Sequence, residues 1–215
     1  MTKKAILVEA ILRQGFKLRR LKHDTYGAYS CDIYLGDKRI ASARQMGNGG
    51  MVDFQYDSTD SRVKVAKAVQ KVEAEVYQQV PVDEPITFAD VLGDFYAIDM
   101  DMKGKLEEIR AQLTRFDIDI ENITNVLVDL EPRRKWALTQ LRRCCILEDG
   151  NLKTLGPSKP AYRSSQLKCN PELLRLYKKV CEDSDATPLN LLTKESAVNA
   201  IIVSTFISEP VREQN

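Results

Sequence analysis

The apolar positions in the first 80 residues change period twice. Ala5, Ile6, Val8, Ile11 and Leu12 recur at helical spacing, which predicts a short helix over Thr2–Leu12 ended near Gly15. From Phe16 the repeat drops to two. Phe16–Leu21 predicts one strand, and Tyr26–Leu35, with Tyr29, Cys31, Ile33 and Leu35 on alternate positions, predicts a second. Gly36-Asp37 supplies a two-residue turn of the II′ kind into Lys38–Met46, and Gly47-Asn48-Gly49-Gly50 turns that strand into Met51–Tyr56. The result is a meander of three or four antiparallel strands, with one face on a core and the other toward water or a partner. Alternation sets Lys17 and Arg19 opposite Phe16 and Leu18.

Helical periods return after the meander. Asp57-Ser58-Thr59-Asp60 offers N-caps for a helix reaching about Gln79, with Val65, Val69, Val72 and Val76 along one side. Pro81–Pro85 reads as a turn or linker. Thr87 caps a helix carrying Phe88, Val91, Leu92 and Phe95, and Leu106, Ile109 and Leu113 place another over Lys103–Phe116. A further helix runs from Asn122 through Leu130, with Pro132 marking a kink or a new first turn for Arg133–Arg143. Asp149-Gly150 between Cys144–Glu148 and Asn151–Leu155 predicts a type I′ hairpin. Asn170-Pro171 opens a helix striped by Leu173, Leu174, Leu176, Tyr177 and Val180, and Thr193–Ile207 predicts a C-terminal helix. The fold class is therefore α+β. Residues 1–80 form a β-meander plus helix and 81–215 a mainly helical region with a hairpin at about 144–155, either as two domains or as one continuous one.

Composition narrows the class of protein. With 215 residues, 43% of them hydrophobic, the chain can bury a core without a metal or disulfide staple. Its longest apolar stretches, Ala5–Leu12 and Ala197–Ile207, are too short to span a bilayer and are interrupted by Glu9, Asn199 and Ser204. No membrane partner or secretory signal is expected, and the expected location is the cytoplasm. Cys31, Cys144, Cys145, Cys169 and Cys181 are odd in number and include an adjacent pair, so we read them as reduced and mostly buried. A zinc site from Cys144, Cys169, Cys181 and His23 has no support in their spacing.

Charge is unevenly spread. Lys+Arg against Asp+Glu runs 14 to 9 over residues 1–80, 4 to 13 over 81–131 and 14 to 9 over 132–215. Such blocks compensate one another or present basic and acidic faces to partners. The basic residues Lys17, Arg19, Arg20 and Lys22 lie on a predicted strand, with Tyr26 and Tyr29 nearby for stacking. Arg133, Arg134, Lys135, Arg142 and Arg143, with Trp136 among them, decorate the helix before the second hairpin. The turn at Asn48, Gly49 and Gly50 is a candidate anion nest, although it joins two strands and lacks a P-loop context, which favours a structural reading of its glycines. Asp94, Asp99, Asp101, Asp117, Asp119 and Glu121 would suit a Mg²⁺ site if they converged, but Asp-x-Asp spacing within an acidic segment reads first as a solvated face. Neither a nucleophile elbow nor a Cys/His dyad is marked, and no cofactor is expected.

The runs Asp24–Ser30, Ile33–Arg39 and Gly47–Gly50 give residues 17–56 a resemblance to the short β-meanders of small accessory, non-structural proteins of tailed bacteriophages. What the resemblance implies is expression inside an infected bacterium and binding to host machinery or defence components; it assigns no functional residue. The leading expectation is a non-enzymatic protein that binds a host protein through Lys17, Arg19, Arg20, Lys22, Tyr26 and Tyr29. A nucleic-acid or nucleotide binder using the same sheet is the alternative, and a metal-dependent nuclease the third reading. Oligomeric state is not legible.

Overall fold

The computed structural model describes residues 2–23, 28–47, 51–80, 118–156 and 162–207. The helices predicted from Thr87 and over Lys103–Phe116 lie outside them. The fold is α+β, and its contacts divide the chain into two units, Ile6–Asp129 and Met1–Ala5 with Leu130–Asn215. No described helix is long and apolar enough to cross a membrane.

In the unit spanning 6–129, α1 (Lys3–Arg13) leads into β1 (Phe16–His23), β2 (Tyr29–Leu35), β3 (Lys38–Gln45) and β4 (Asp53–Tyr56), which pair antiparallel in chain order. Gly36 at φ 62° supplies the positive φ that the first position of a II′ turn requires, so β2 and β3 meet across two residues. Phe16, Leu18, Tyr29, Cys31, Ile33, Ile40 and Ala43 are buried on one side of the sheet. α2 (Thr59–Gln79) lies against β3 and β4 and is capped by Ser58, whose Oγ accepts from the Ser61 amide at 3.1 Å. Its buried stripe is Ser61, Val65, Ala68, Val72 and Val76; Ala68 replaces the expected Val69, which is only half-buried. Glu75 on α2 receives Arg13 and Gln14 from the end of α1.

Pro132 neither ends nor restarts a helix. α3 runs unbroken from Ile120 to Gln140 with the proline inside it. The ring leaves the Val128 carbonyl without its i+4 donor, a loss of about 3 kcal/mol in an isolated helix. Burial of Leu127 and Leu130 before it and Ala137 after it favours the helical run on both sides.

In the other unit, Asp149 at φ 51° and Gly150 at φ 75° form the expected type I′ turn between β5 (Cys145–Glu148) and β6 (Asn151–Thr154). α4 (Ser164–Cys169), unmarked in the sequence pattern, precedes α5 (Pro171–Asp183), which Asn170 caps by accepting the Leu173 amide at 3.0 Å. A 3₁₀ turn, Leu189–Leu191, leads to α6 (Lys194–Ile207). Cys144, Ile146, Leu167, Leu173, Tyr177, Cys181 and Ala186 form one core cluster, while Leu176 of the predicted stripe is exposed. The Tyr177 hydroxyl donates to the Cys145 carbonyl at 2.6 Å and accepts from the Asn190 amide at 3.1 Å. Asn190 in turn accepts the Cys145 amide at 2.6 Å and donates to the Arg143 carbonyl at 3.0 Å. These bonds join β5, α5 and the 3₁₀ turn, and the one between Tyr177 and Cys145 is buried.

Tyr177→Phe keeps the packing but strips a partner from the Cys145 carbonyl and the Asn190 amide. It should destabilise the protein by about 1–3 kcal/mol. In urea the midpoint should fall with an unchanged slope; an unaltered midpoint would show that this bridge contributes nothing.

Candidate functional site on the open face of the four-stranded sheet

Residues opposite the buried side chains of β1–β4 form three cross-strand rows. Lys22, Ser30, Arg44 and Asp53 align in one; Arg19, Asp32, Ser42 and Gln55 in the next; Lys17, Tyr34 and Arg39 in the third. Lys17 and Arg19 thus stand on the side away from Phe16 and Leu18, as alternation requires. Strict alternation would send Lys22 to the core side. A bulge prevents this: Arg19 faces Asp32 and Lys22 faces Ser30, leaving two β1 residues against one on β2. Arg20 sits in that bulge at φ 55°, the left-handed region that a side chain rarely adopts.

Most cations of this face already have partners. Lys17 Nζ lies 3.1 Å from Asp37 Oδ1, and its side chain keeps only 16% of its exposure. The Arg19 guanidinium covers the Tyr34 ring at 4.5 Å from the centroid. Arg39 Nε donates to Asp32 Oδ1 at 3.1 Å and its Nη1 is 3.5 Å from Asp57, while Arg20 Nη1 stands 3.4 Å from Asp32 Oδ2. Lys22 and Arg44 have no ion-pair partner among the described residues. An open depression of about 460 Å³ lies between them, bordered by Arg20, Ser30, Asp32 and Ser42.

Tyr29 takes no part in this face. It is 6% exposed on the core side, and its hydroxyl donates to Asn125 Oδ1 on α3 at 2.7 Å. Burial, helped by Cys31, Glu121 and Asp129, holds the phenol well above its usual pKa, so it stays a neutral donor. The period that picks out Tyr29, Cys31 and Ile33 as one set already places Tyr29 with the core and Tyr34 on the open side. Tyr26 and the turn residues Asn48, Gly49 and Gly50 lie outside the described residues. Sequence reasoning also passed over Asp32, Arg39 and Arg44, which the same alternation marks as members of the polar face.

The other candidate chemistry is engaged in structure. Asp119 Oδ1 accepts the Asn122 amide at 2.7 Å as the cap of α3, and Glu121 Oε1 accepts the Val52 amide at 3.4 Å; Asp94, Asp99, Asp101 and Asp117 lie outside the described residues. Arg133 donates to Thr205 at 2.8 Å and covers the Phe206 ring, and Arg134 grips Glu195 at 2.9 and 3.3 Å, which raises the guanidinium pKa further. Among the described residues no three metal-ligating side chains converge. All five thiols are free, and only Cys169 is exposed. Burial pushes Cys31 and Cys145 up to about 11, with Asp32 adding to the first and Cys144 to the second.

Two outcomes follow. Iodoacetamide at pH 8 should label Cys169 at least roughly tenfold faster than the four buried thiols, two of which remain protonated far above that pH; peptide mass mapping that finds Cys145 modified first would contradict the packing around it. Arg20→Gly and Arg20→Ala both delete the side chain but differ in tolerance of the left-handed backbone. The glycine variant should be the more stable by about 1 kcal/mol in denaturant melts, and equal stabilities would argue against the bulge geometry.

No protein-family model, curated protein or solved structure matches the chain.

Proposed function

We propose that the protein is a non-enzymatic interaction protein of the phage accessory kind, binding a host protein through the open face of β1–β4. The observation that supports this reading is the interleaving of charges on that face. Lys17, Arg20 and Arg39 alternate with Asp37, Asp32 and Asp57, and Arg19 covers Tyr34. A surface of both signs around an aromatic ring suits a protein partner with complementary charges. A nucleic-acid backbone asks for a run of uncompensated cations with bare rings for stacking, and most cations here would first have to leave a carboxylate or a ring. The resemblance of residues 17–56 to phage meanders makes the partner a component of the host cell.

Lys17→Glu with Arg19→Glu should leave the circular dichroism spectrum unchanged and reduce partner recovery from nuclease-treated host lysate. With the isolated partner, the association rate should fall about tenfold at low salt, and Tyr34→Ala should cost about 2 kcal/mol of affinity. Recovery abolished by nuclease, with the log-affinity against log-salt slope lowered by about 0.7–0.9 per lost contact, would instead assign the face to nucleic acid. Unchanged binding by the folded double variant would remove the sheet face from consideration.

A further inference from the structure

We infer that the depression between Lys22 and Arg44 is a binding site for a protonated phosphate group, either inorganic phosphate or a phosphomonoester monoanion. The inference is independent of the partner reading above and shares only the sheet face with it.

Three observations carry it. Lys22, Ser30 and Arg44 stand side by side in one cross-strand row, so an ammonium and a guanidinium flank a hydroxyl on the same face. Adjacent positions of such a row are about 5 Å apart at Cβ, a spacing that lets three donors reach the oxygens of one tetrahedral anion. Among the described residues Lys22 and Arg44 are engaged neither by a carboxylate, although Asp53 is directly across from Arg44, nor by a ring as Arg19 is by Tyr34. No described residue has to release them to a ligand.

The second observation is the bulge. It holds Lys22 on the open side at the expense of a left-handed Arg20, and Arg20 borders the same depression. Strain of this kind is concentrated where a side chain must be aimed.

The third is Asp32. It is 8% exposed, lines the depression, and gives Oδ1 to Arg39, while Oδ2 has no hydrogen-bond partner; the nearest cation is Arg20, at 3.4 Å. A buried carboxylate oxygen whose one contact is a long ion pair has room to accept a donor from a ligand. Arg20, with 78% of its side chain exposed, has room to exchange its long contact with Oδ2 for the anion. A phosphate monoanion supplies both halves, negative oxygens for Lys22, Arg44 and Ser30 and, through a proton it retains, a hydroxyl for Asp32. Sulfate supplies only the first. Arg20, Lys22 and Arg44 against Asp32 and Asp53 leave one positive charge, which a monoanion neutralises and a polyanion overshoots.

Calorimetric titration of the full chain at fixed ionic strength tests this with inorganic phosphate, sulfate and O-phosphoserine as probes. Phosphate should bind saturably and at least tenfold more tightly than sulfate. Lys22→Ala and Arg44→Ala should each weaken it at least tenfold, and Asp32→Asn should shrink the gap between phosphate and sulfate. Tighter binding of O-phosphoserine would make a phosphorylated side chain the source, and tighter binding of phosphate the free anion; both orders support the site. Because Lys22 is exposed on β1, its alanine variant should fold even if Arg44→Ala or Asp32→Asn does not, and circular dichroism checks each. Equal affinities for phosphate and sulfate, or phosphate binding that survives Lys22→Ala, would overturn the inference. Since Lys17 and Arg19 are untouched in these variants, that failure would leave the partner reading standing.

Discussion

The pleat of the four-stranded sheet is the constraint on which the rest of this unit depends. Each strand can bury only every second side chain, and Phe16, Leu18, Cys31, Ile33 and Ala43 take that side. Whatever lies between them must face away. Regular alternation fails at Lys22: the bulge keeps it on the open side and gives the place opposite Tyr29 to His23, whose ring meets the Tyr29 ring edge-on. Holding one residue of the bulge, Arg20, in the left-handed region costs about 1–2 kcal/mol. The same step brings Lys22 onto the open face beside Arg20.

That face is ordered more by geometry than by the strength of its ion pairs. Ion pairs with one partner fully in solvent, such as Lys17–Asp37, contribute about 0–1 kcal/mol each, too little to determine the fold. They do determine which cations are available. Asp32 sits where Arg20 and Arg39 converge, and its low exposure makes it the carboxylate of this face least screened by water. Arg19, with no carboxylate at its row position other than the occupied Asp32, settles on Tyr34 instead. Such contacts exchange readily for those of a partner, because what they lose on opening is small.

Period-two alternation made the meander legible, together with its turns and the side taken by Lys17 and Arg19. The hairpin at Asp149-Gly150 and the caps at Ser58 and Asn170 were readable for a similar reason, since each rests on a local φ or hydrogen-bonding requirement that a residue type announces. Of the two readings that Pro132 offers, a kink or a new first turn, the second fails because the residue's effect in an isolated helix is local, whereas the flanking burial of Leu127, Leu130 and Ala137 is not. The short α4 carries too few apolar positions to show a period; only Leu167 in it is buried. Tyr29 was misassigned to the binding face through composition, an aromatic near basic residues, when its own alternation set placed it in the core. The bulge was illegible altogether, since arginine is not the residue that a left-handed position predicts.

Charge counting by segment is the least informative of the sequence arguments, because a count records charges and not their partners. The basic run Arg133–Arg143 includes two guanidinium groups held within their own unit, Arg133 at Thr205 and Phe206 and Arg134 at Glu195. In the sheet, Arg39 is divided between Asp32 and Asp57. A cation held in this way must break that contact before it can serve a ligand, so its contribution to recognition is a difference between two similar terms. A cation without such a partner carries no such deduction. On the open face, among the described residues, that condition is met by Lys22 and Arg44, and the strand register places them on either side of Ser30. The recognition chemistry of this sheet therefore depends less on how many basic residues it carries than on which two of them the bulge and the register set on either side of Ser30.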